Sequence, residues 1–385
     1  MHLSLKTGRD FLQRIVHPWY KALQSPAEAQ QQVLENLVEG YAETLYGKKH
    51  AALEVKGTAD FRVNFPKINY KVLCPYFDEV KRGNHSILLP EAPVCWVMTR
   101  GSTGPAKVFP VTKTHVEQIF VCGARALANY ALRKDDFELL TGKILNLNFP
   151  SIVTTTDTGG QKITYGYSSG TYAKLNPMLN QVSLLPRQEE IDALGPGITK
   201  SDWERRFELV YEQALNKRVV ATMGVTPVIL SFARYVRQKH HKKPKDLWDF
   251  RALFCTSVRK IQFKYGPVLR KYFGEVPIIE MYSATEGVFA QQLDDLPYVT
   301  PNYDKYYFEV ETGKGSKMLH ELERGEWGRL IISSCMFPRY DIGDMIEAMG
   351  KNYFRVFGRS GILTVLEHRF YKVQLFVGRK ILDLF

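Results

Sequence analysis

A chain of 385 residues with 45% apolar and 24% charged residues can bury a large core and a ligand cavity, and so ordinary a composition excludes a disordered or low-complexity protein. Its formal charge of +12 attracts polyanions, whether nucleic acid, anionic lipid or a polyphosphate ligand. No apolar run reaches the roughly 18 residues a membrane span needs, and MHLSLKTGRDFLQRIV lacks the apolar core and cleavage site of a signal peptide, so the expectation is a cytoplasmic protein without a membrane span. The five cysteines, Cys74, Cys95, Cys122, Cys255 and Cys335, are scattered among apolar neighbours and read as core thiols, neither a disulfide framework nor a zinc site.

In chain order, Ser25-Pro26-Ala27-Glu28 has the form of a capping box with proline at the first helical position. Apolar residues then recur at three- and four-residue spacing from Val33 to Leu45, which predicts an amphipathic helix up to Gly47. Residues 61–90 read as loops and short elements, punctuated by Asn64-Phe65-Pro66 and Gly83-Asn84. Two short strands, Ala92–Met98 and Val108–Val111, flank the loop TRGSTGPAK, and a helix capped by Thr112 follows. From Ser201 to Gly287 helices alternate with strand-like runs at Val219–Met223, Ala252–Cys255 and Val276–Met281; this predicts right-handed crossovers in a helix-covered parallel sheet, with ligands at the carboxyl ends of its strands. Between them, Arg237–Lys245 is a basic run that reads as a solvated helix end and loop. It contains no interleaved aromatics, which argues against nucleic acid as the partner. After Gly287, short strands at Tyr306–Val310, Gly328–Ile332 and Met345–Ala348 are separated by glycine turns and predict an antiparallel sheet.

Four segments carry candidate chemistry. In Thr99–Lys107 a glycine-rich turn can curl backbone N–H groups around phosphate, adding the hydroxyls of Ser102 and Thr103 and the charge of Lys107. It is not a Walker P-loop, because alanine precedes the lysine and valine follows it. Met281-Tyr282-Ser283-Ala284-Thr285-Glu286-Gly287 ends the third strand: Tyr282 offers a flat face to a purine, Thr285 a hydroxyl to phosphate, and Glu286 a hard oxygen to magnesium. Arg339–Asp344 and Phe357–Gly361 each set charged residues beside glycine, where an aspartate can accept both ribose hydroxyls and an arginine can grip ribose and phosphate.

In this order the four segments resemble the adenylate-forming superfamily of acyl-CoA synthetases, luciferases and adenylation domains. Within it the likeness is greatest to the auxin-responsive acyl acid amido synthetases and their microbial relatives, and it extends upstream through Glu28–Lys49 and Asp60–Pro66. The resemblance implies an α/β fold, the large N-terminal domain of an adenylate-forming enzyme, with mainly parallel helix-covered sheets over residues 1–287 and a small antiparallel β sub-domain over 288–385. It implies ATP-dependent activation of a carboxylic acid as an acyl-adenylate, with magnesium, and transfer to an amine or thiol such as coenzyme A. By motif position, Thr99, Gly101, Ser102, Thr103, Gly104 and Lys107 would hold the β- and γ-phosphates. Tyr282 would stack on adenine, Ser283 and Ala284 would belong to the nucleotide-binding set, Thr285 would touch the α-phosphate, Glu286 would bind the metal, Asp344 the ribose, and Arg359 would begin the hinge. Lys107, Thr285 and Glu286 are the expected catalytic residues.

Three departures from the family pattern stand out. Arg100 replaces a small hydroxyl residue, Asp341 occupies a position usually held by arginine with Arg339 nearby, and the hinge residue expected after Arg359 is not evident. The sequence also reads as lacking the family's C-terminal lid, with Phe370–Val377 as a last strand; the alternatives are then a non-catalytic ATP and acyl-ligand binder, or a catalytic half whose lid a partner chain supplies. Strand ends place the acid near Gly224, Val225, Thr226, Pro227, Thr256 and Ser257.

Overall fold

The computed structural model describes residues 5–101, 106–158 and 160–382. The chain opens with α1 (Leu5–Gln24), α2 (Pro26–Ala42), α3 (Leu45–Lys49), α4 (Thr58–Asn64) and α5 (Tyr70–Lys81). The strands β1 (Cys95–Met98) and β2 (Val108–Val111) lead into α6 (Lys113–Lys134), which is followed by β3 (Lys143–Leu145), β4 (Thr154–Thr158), β5 (Gln161–Tyr167) and α7 (Ser168–Leu175). Next come β6 (Leu184–Leu185), α8 (Gln188–Asp192), α9 (Lys200–Ala214), β7 (Val219–Val225), α10 (Thr226–His240), β8 (Ala252–Thr256), α11 (Gly266–Phe273) and β9 (Ile278–Ala284). The remainder is β10 (Gly287–Gln291), β11 (Thr300–Pro301), β12 (Tyr307–Thr312), β13 (Gly315–Met318), β14 (Trp327–Ser334), β15 (Phe337–Gly350), β16 (Tyr353–Arg359) and α12 (Ile362–Leu382).

The seven-stranded sheet has the order β11-β10-β9-β8-β7-β3-β6. Its strands from β6 to β9 are parallel, and β10 and β11 are antiparallel additions. Both faces are covered, as a parallel sheet requires: Ile144, Ala221, Phe254 and Ile279 join one core cluster with Val116 and Ile119 of α6, while Leu145, Leu253 and Ile278 join another with Phe207, Phe232 and Leu269. A four-stranded sheet, β2-β1-β5-β4, carries the hairpin of the glycine-rich loop, and an antiparallel sheet, β13-β12-β14-β15-β16, lies towards the C-terminus. The predicted α/β class, with its mainly parallel sheet and its C-terminal antiparallel sheet, is the one observed.

Four local readings are corrected. The Ser25 hydroxyl makes no capping bond; its amide still donates to the Lys21 carbonyl, so Ser25 closes α1 as it opens α2. The predicted long helix breaks at Glu43, where Thr44 accepts from the Gly47 amide and starts α3. Residues 61–90 contain the twelve-residue α5, capped by Asn69, whose side chain accepts from the Lys71 and Val72 amides. Finally, Phe370–Val377 is not a strand but part of α12. Helical spacing sets His368 and Lys372 four residues apart on one face, and both reach Glu347 while His368 stacks on Phe357 at 3.9 Å. All five cysteines are free thiols, and the basic run ends α10 at a left-handed His241.

Candidate active site

A cleft of about 2520 Å³ opens at the carboxyl ends of β7, β8 and β9 and is walled on its far side by Asp341–Asp344 and Val356–Ser360. At its centre β9 turns back into β10 through Thr285 and Glu286, with Ala284 opposite Gly287. The tight reversal holds both side chains at the strand end, and they are only 8% and 5% exposed.

Burial raises the Glu286 carboxyl above its usual range, and the charge of Lys107 opposes that shift. The link between the two is a tyrosine hydroxyl. Tyr340 Oη donates to Glu286 Oε1 at 3.2 Å, and Lys107 Nζ donates to the same hydroxyl at 3.4 Å. Lys107 also lies 5.4 Å from the centre of the Tyr70 ring. The loop it belongs to is closed at its neck where the Thr99 amide donates to the Lys107 carbonyl and the Thr99 hydroxyl accepts from the Lys107 amide, each at 2.9 Å. Gly101 has a positive φ of 69°, and Thr99, Gly101 and Lys107 line the cleft. Ser102, Thr103 and Gly104 lie outside the described residues.

A second polar cluster stands alongside. Tyr282 Oη donates to Asp344 Oδ2 at 2.7 Å, and Arg359 Nη1 donates to Asp344 Oδ1 at 2.8 Å. Gly343, at φ 80°, makes the bend that a side chain would strain, and its amide is held by Asp341 Oδ1. The Tyr282 ring is packed between Phe289 and Phe354. The Ser283 hydroxyl is pinned to that of Thr256 at 2.7 Å, and Ala284 lines the cleft.

Of the residues expected around the acid, Gly224, Val225, Thr256 and Ser257 line the cleft, whereas Thr226 and Pro227 are taken into the first turn of α10. Arg100 lies over the Phe149 ring at 5.2 Å, and burial lowers its pKa. Arg339 is outside the cleft: it is buried against Glu309 and donates to the Arg62 and Phe65 carbonyls. Asp341 pairs with Arg329.

The structure adds residues that sequence reasoning missed. Ser168 Oγ is 3.2 Å from Thr285 Oγ1, and the Tyr172 hydroxyl donates to the Thr285 carbonyl at 3.1 Å. Their signal was the hydroxyl- and glycine-rich Tyr167-Ser168-Ser169-Gly170-Thr171 after a strand. Glu280 also lines the cleft, two residues before Tyr282, and burial pushes its carboxyl up to about 7. Among the described residues no group of three or more His, Cys, Asp or Glu forms a metal cage. A single buried carboxylate still fits magnesium, which keeps several waters and takes its other ligands from phosphate.

Solved structures share this strand-end cleft architecture over most of the chain. The GH3.15 acyl acid amido synthetase aligns over 87% of this chain and 68% of its own at 16% identity, with a TM-score of 0.67. The AtGH3.15 synthetase in complex with 2,4-DB gives 0.69 at 15% identity over 93% and 71%. An open conformation of 2-hydroxyisobutyryl-CoA ligase, in complex with 2-HIB-AMP and CoA, gives 0.57 at 14% identity over 87% and 74%. More narrowly, residues 16–193 match the GH3 family N-terminal domain. No curated protein matches the chain. The chain therefore shares the fold of these synthetase and ligase structures, and its likeness to acyl acid amido synthetases holds at that level and over residues 16–193.

Proposed function

We propose that the cleft joins ATP to a carboxylic acid as an acyl-adenylate, releases pyrophosphate, and passes the acyl group to an amine or thiol. The observation that carries this reading is the convergence of Lys107 and Glu286 on the Tyr340 hydroxyl, beside an Asp344 already tied to Tyr282 and Arg359. In this reading a carboxylate oxygen attacks the α-phosphorus, the bond to the bridging oxygen breaks, and its electron pair leaves with pyrophosphate. Negative charge accumulates on a crowded phosphate, so preorganised cations help most. A lysine about 4 Å from a phosphate oxygen contributes roughly 4 kcal/mol at an effective dielectric of 20.

Lys107 would meet the β- and γ-phosphates with the backbone of Thr99 and Gly101, as would Ser102, Thr103 and Gly104. Thr285, backed by Ser168, would donate to the α-phosphate. Asp344 would exchange its tyrosine and arginine partners for ribose hydroxyls, and Tyr282 with Ser283 and Ala284 would bound the adenine. Glu286 would hold magnesium, which when bound neutralises phosphate charge. Coenzyme A is one thiol acceptor that such chemistry admits; the ligase among the matched structures holds CoA with its adenylate.

The test is exchange of labelled pyrophosphate into ATP. The reading expects exchange only when acid and magnesium are both added, and its loss in Lys107→Ala. Magnesium-ATP stabilisation with no exchange for any acid would contradict it and favour a nucleotide-binding protein without turnover.

A further inference from the structure

The lining of the same cleft continues from the polar centre along α6 as an apolar arm, beyond which it turns charged at Lys134, Asp135, Asp136 and Glu138. Phe120, Gly123, Ala124 and Leu127 share one helical stripe by their three- and four-residue spacing. All four line the cleft and stay partly exposed, while Ile119, Cys122 and Ala126 beside them are buried. Between Phe120 and Leu127 the stripe covers about 10 Å of helix. Ile144 of β3 and Leu179 line the same cleft. Among the described residues, α6 gives the lining no charged side chain before Lys134. At the inner end stands Tyr172, also in the lining, whose hydroxyl holds the Thr285 carbonyl.

Gly123 is the informative residue. Glycine is, after proline, the poorest interior residue for a helix, yet it sits in the middle of the 22-residue α6. Close packing does not require it, because a Cβ built there meets nothing within 4 Å, and its φ is not positive. What the missing side chain does is leave the arm wide. We propose that this arm takes the hydrocarbon tail of the acid, which makes the substrate class extended apolar carboxylic acids and makes Gly123 a specificity-determining residue. The inference rests on the acyl-adenylate reading: the carboxylate lies at Thr285 and the tail runs outward past Gly123.

The experiment measures apparent affinity for butanoic, hexanoic and octanoic acids by pyrophosphate exchange, and in parallel by the shift in melting temperature with acid and magnesium-ATP. Each added methylene buried in the arm should tighten binding about fourfold, on the order of a hundredfold from butanoic to octanoic acid. Gly123→Leu should cut the octanoic-to-butanoic preference at least tenfold, whereas Gly123→Ala, which melts no lower than the parent chain, should cut it less. Equal affinity across the series, a preference for small polar acids, or a Gly123→Leu variant that weakens all acids alike would overturn the proposal. The two readings fail separately. Chain-length-dependent stabilisation without exchange keeps the arm's role and sinks acyl-adenylate formation; exchange restricted to small acids does the reverse.

Discussion

Two buried glutamates serve opposite ends. Glu309, 1% exposed, accepts from Arg339 at 2.9 and 3.2 Å and from Arg62 at 2.8 Å, so its charge is answered in full by protein. Glu286, 5% exposed, accepts from one side chain among the described residues, the Tyr340 hydroxyl at 3.2 Å, with Lys107 one step further away. Arg339 and Tyr340 are neighbours on β15, yet the first turns to Glu309 while the second, buried in the core, brings its hydroxyl to Lys107 and Glu286. A satisfied carboxylate fixes the fold; one held short of a cation waits for a ligand.

The sharpest way to break this comparison is Glu309→Ala. Stranding the buried Arg339, and leaving the partly exposed Arg62 without its partner, should lower unfolding free energy by about 3–5 kcal/mol in a denaturant titration, with no pyrophosphate exchange lost while the protein stays folded. Lys107→Ala should do the opposite, lowering exchange by on the order of 10²–10³ and leaving the melting temperature within a few degrees.

Glu280 sharpens the contrast through pH. Burial lifts its pKa from 4.5 to about 7. Below 4.5 the group is protonated in both states and costs nothing. As pH rises towards 7 the unfolded chain ionises first, so stability falls, and above 7 the loss levels off at no more than about 3 kcal/mol. Glu280→Gln should therefore flatten stability between pH 4.5 and 7 and be the more stable protein at pH 8; an unchanged pH profile would refute the assignment. The smallest expected effect is Tyr340→Phe, which removes one hydrogen bond to Glu286, about 1 kcal/mol, seen as a roughly fivefold weaker apparent affinity for magnesium-ATP.

Much of this was legible before any coordinates. Alternating helices and strands over 201–287 required a parallel sheet; a glycine-rich turn marked Lys107, and glycine beside charge marked Glu286 and Asp344, because such residues break an apolar pattern at strand ends. What stayed hidden depends on contact between distant segments. Tyr340 was visible only as the first letter of a motif, and nothing local says that its hydroxyl spans Lys107 and Glu286. Glu280 sits inside an apolar strand, where sequence cannot say whether it faces a partner or a cavity. Asn64-Phe65-Pro66 and Gly83-Asn84 made residues 61–90 look like loop although Leu73, Phe77 and Val80 kept helical spacing within α5. The apolar tail residues suggested a strand until His368 and Lys372 were seen sharing Glu347.

The most direct measurement is a crystal structure with ATP and magnesium bound. The account predicts the triphosphate lying between Lys107 and Thr285, the metal on Glu286, and the ribose on Asp344. A nucleotide bound elsewhere, with the Lys107, Tyr340 and Glu286 contacts undisturbed, would contradict it.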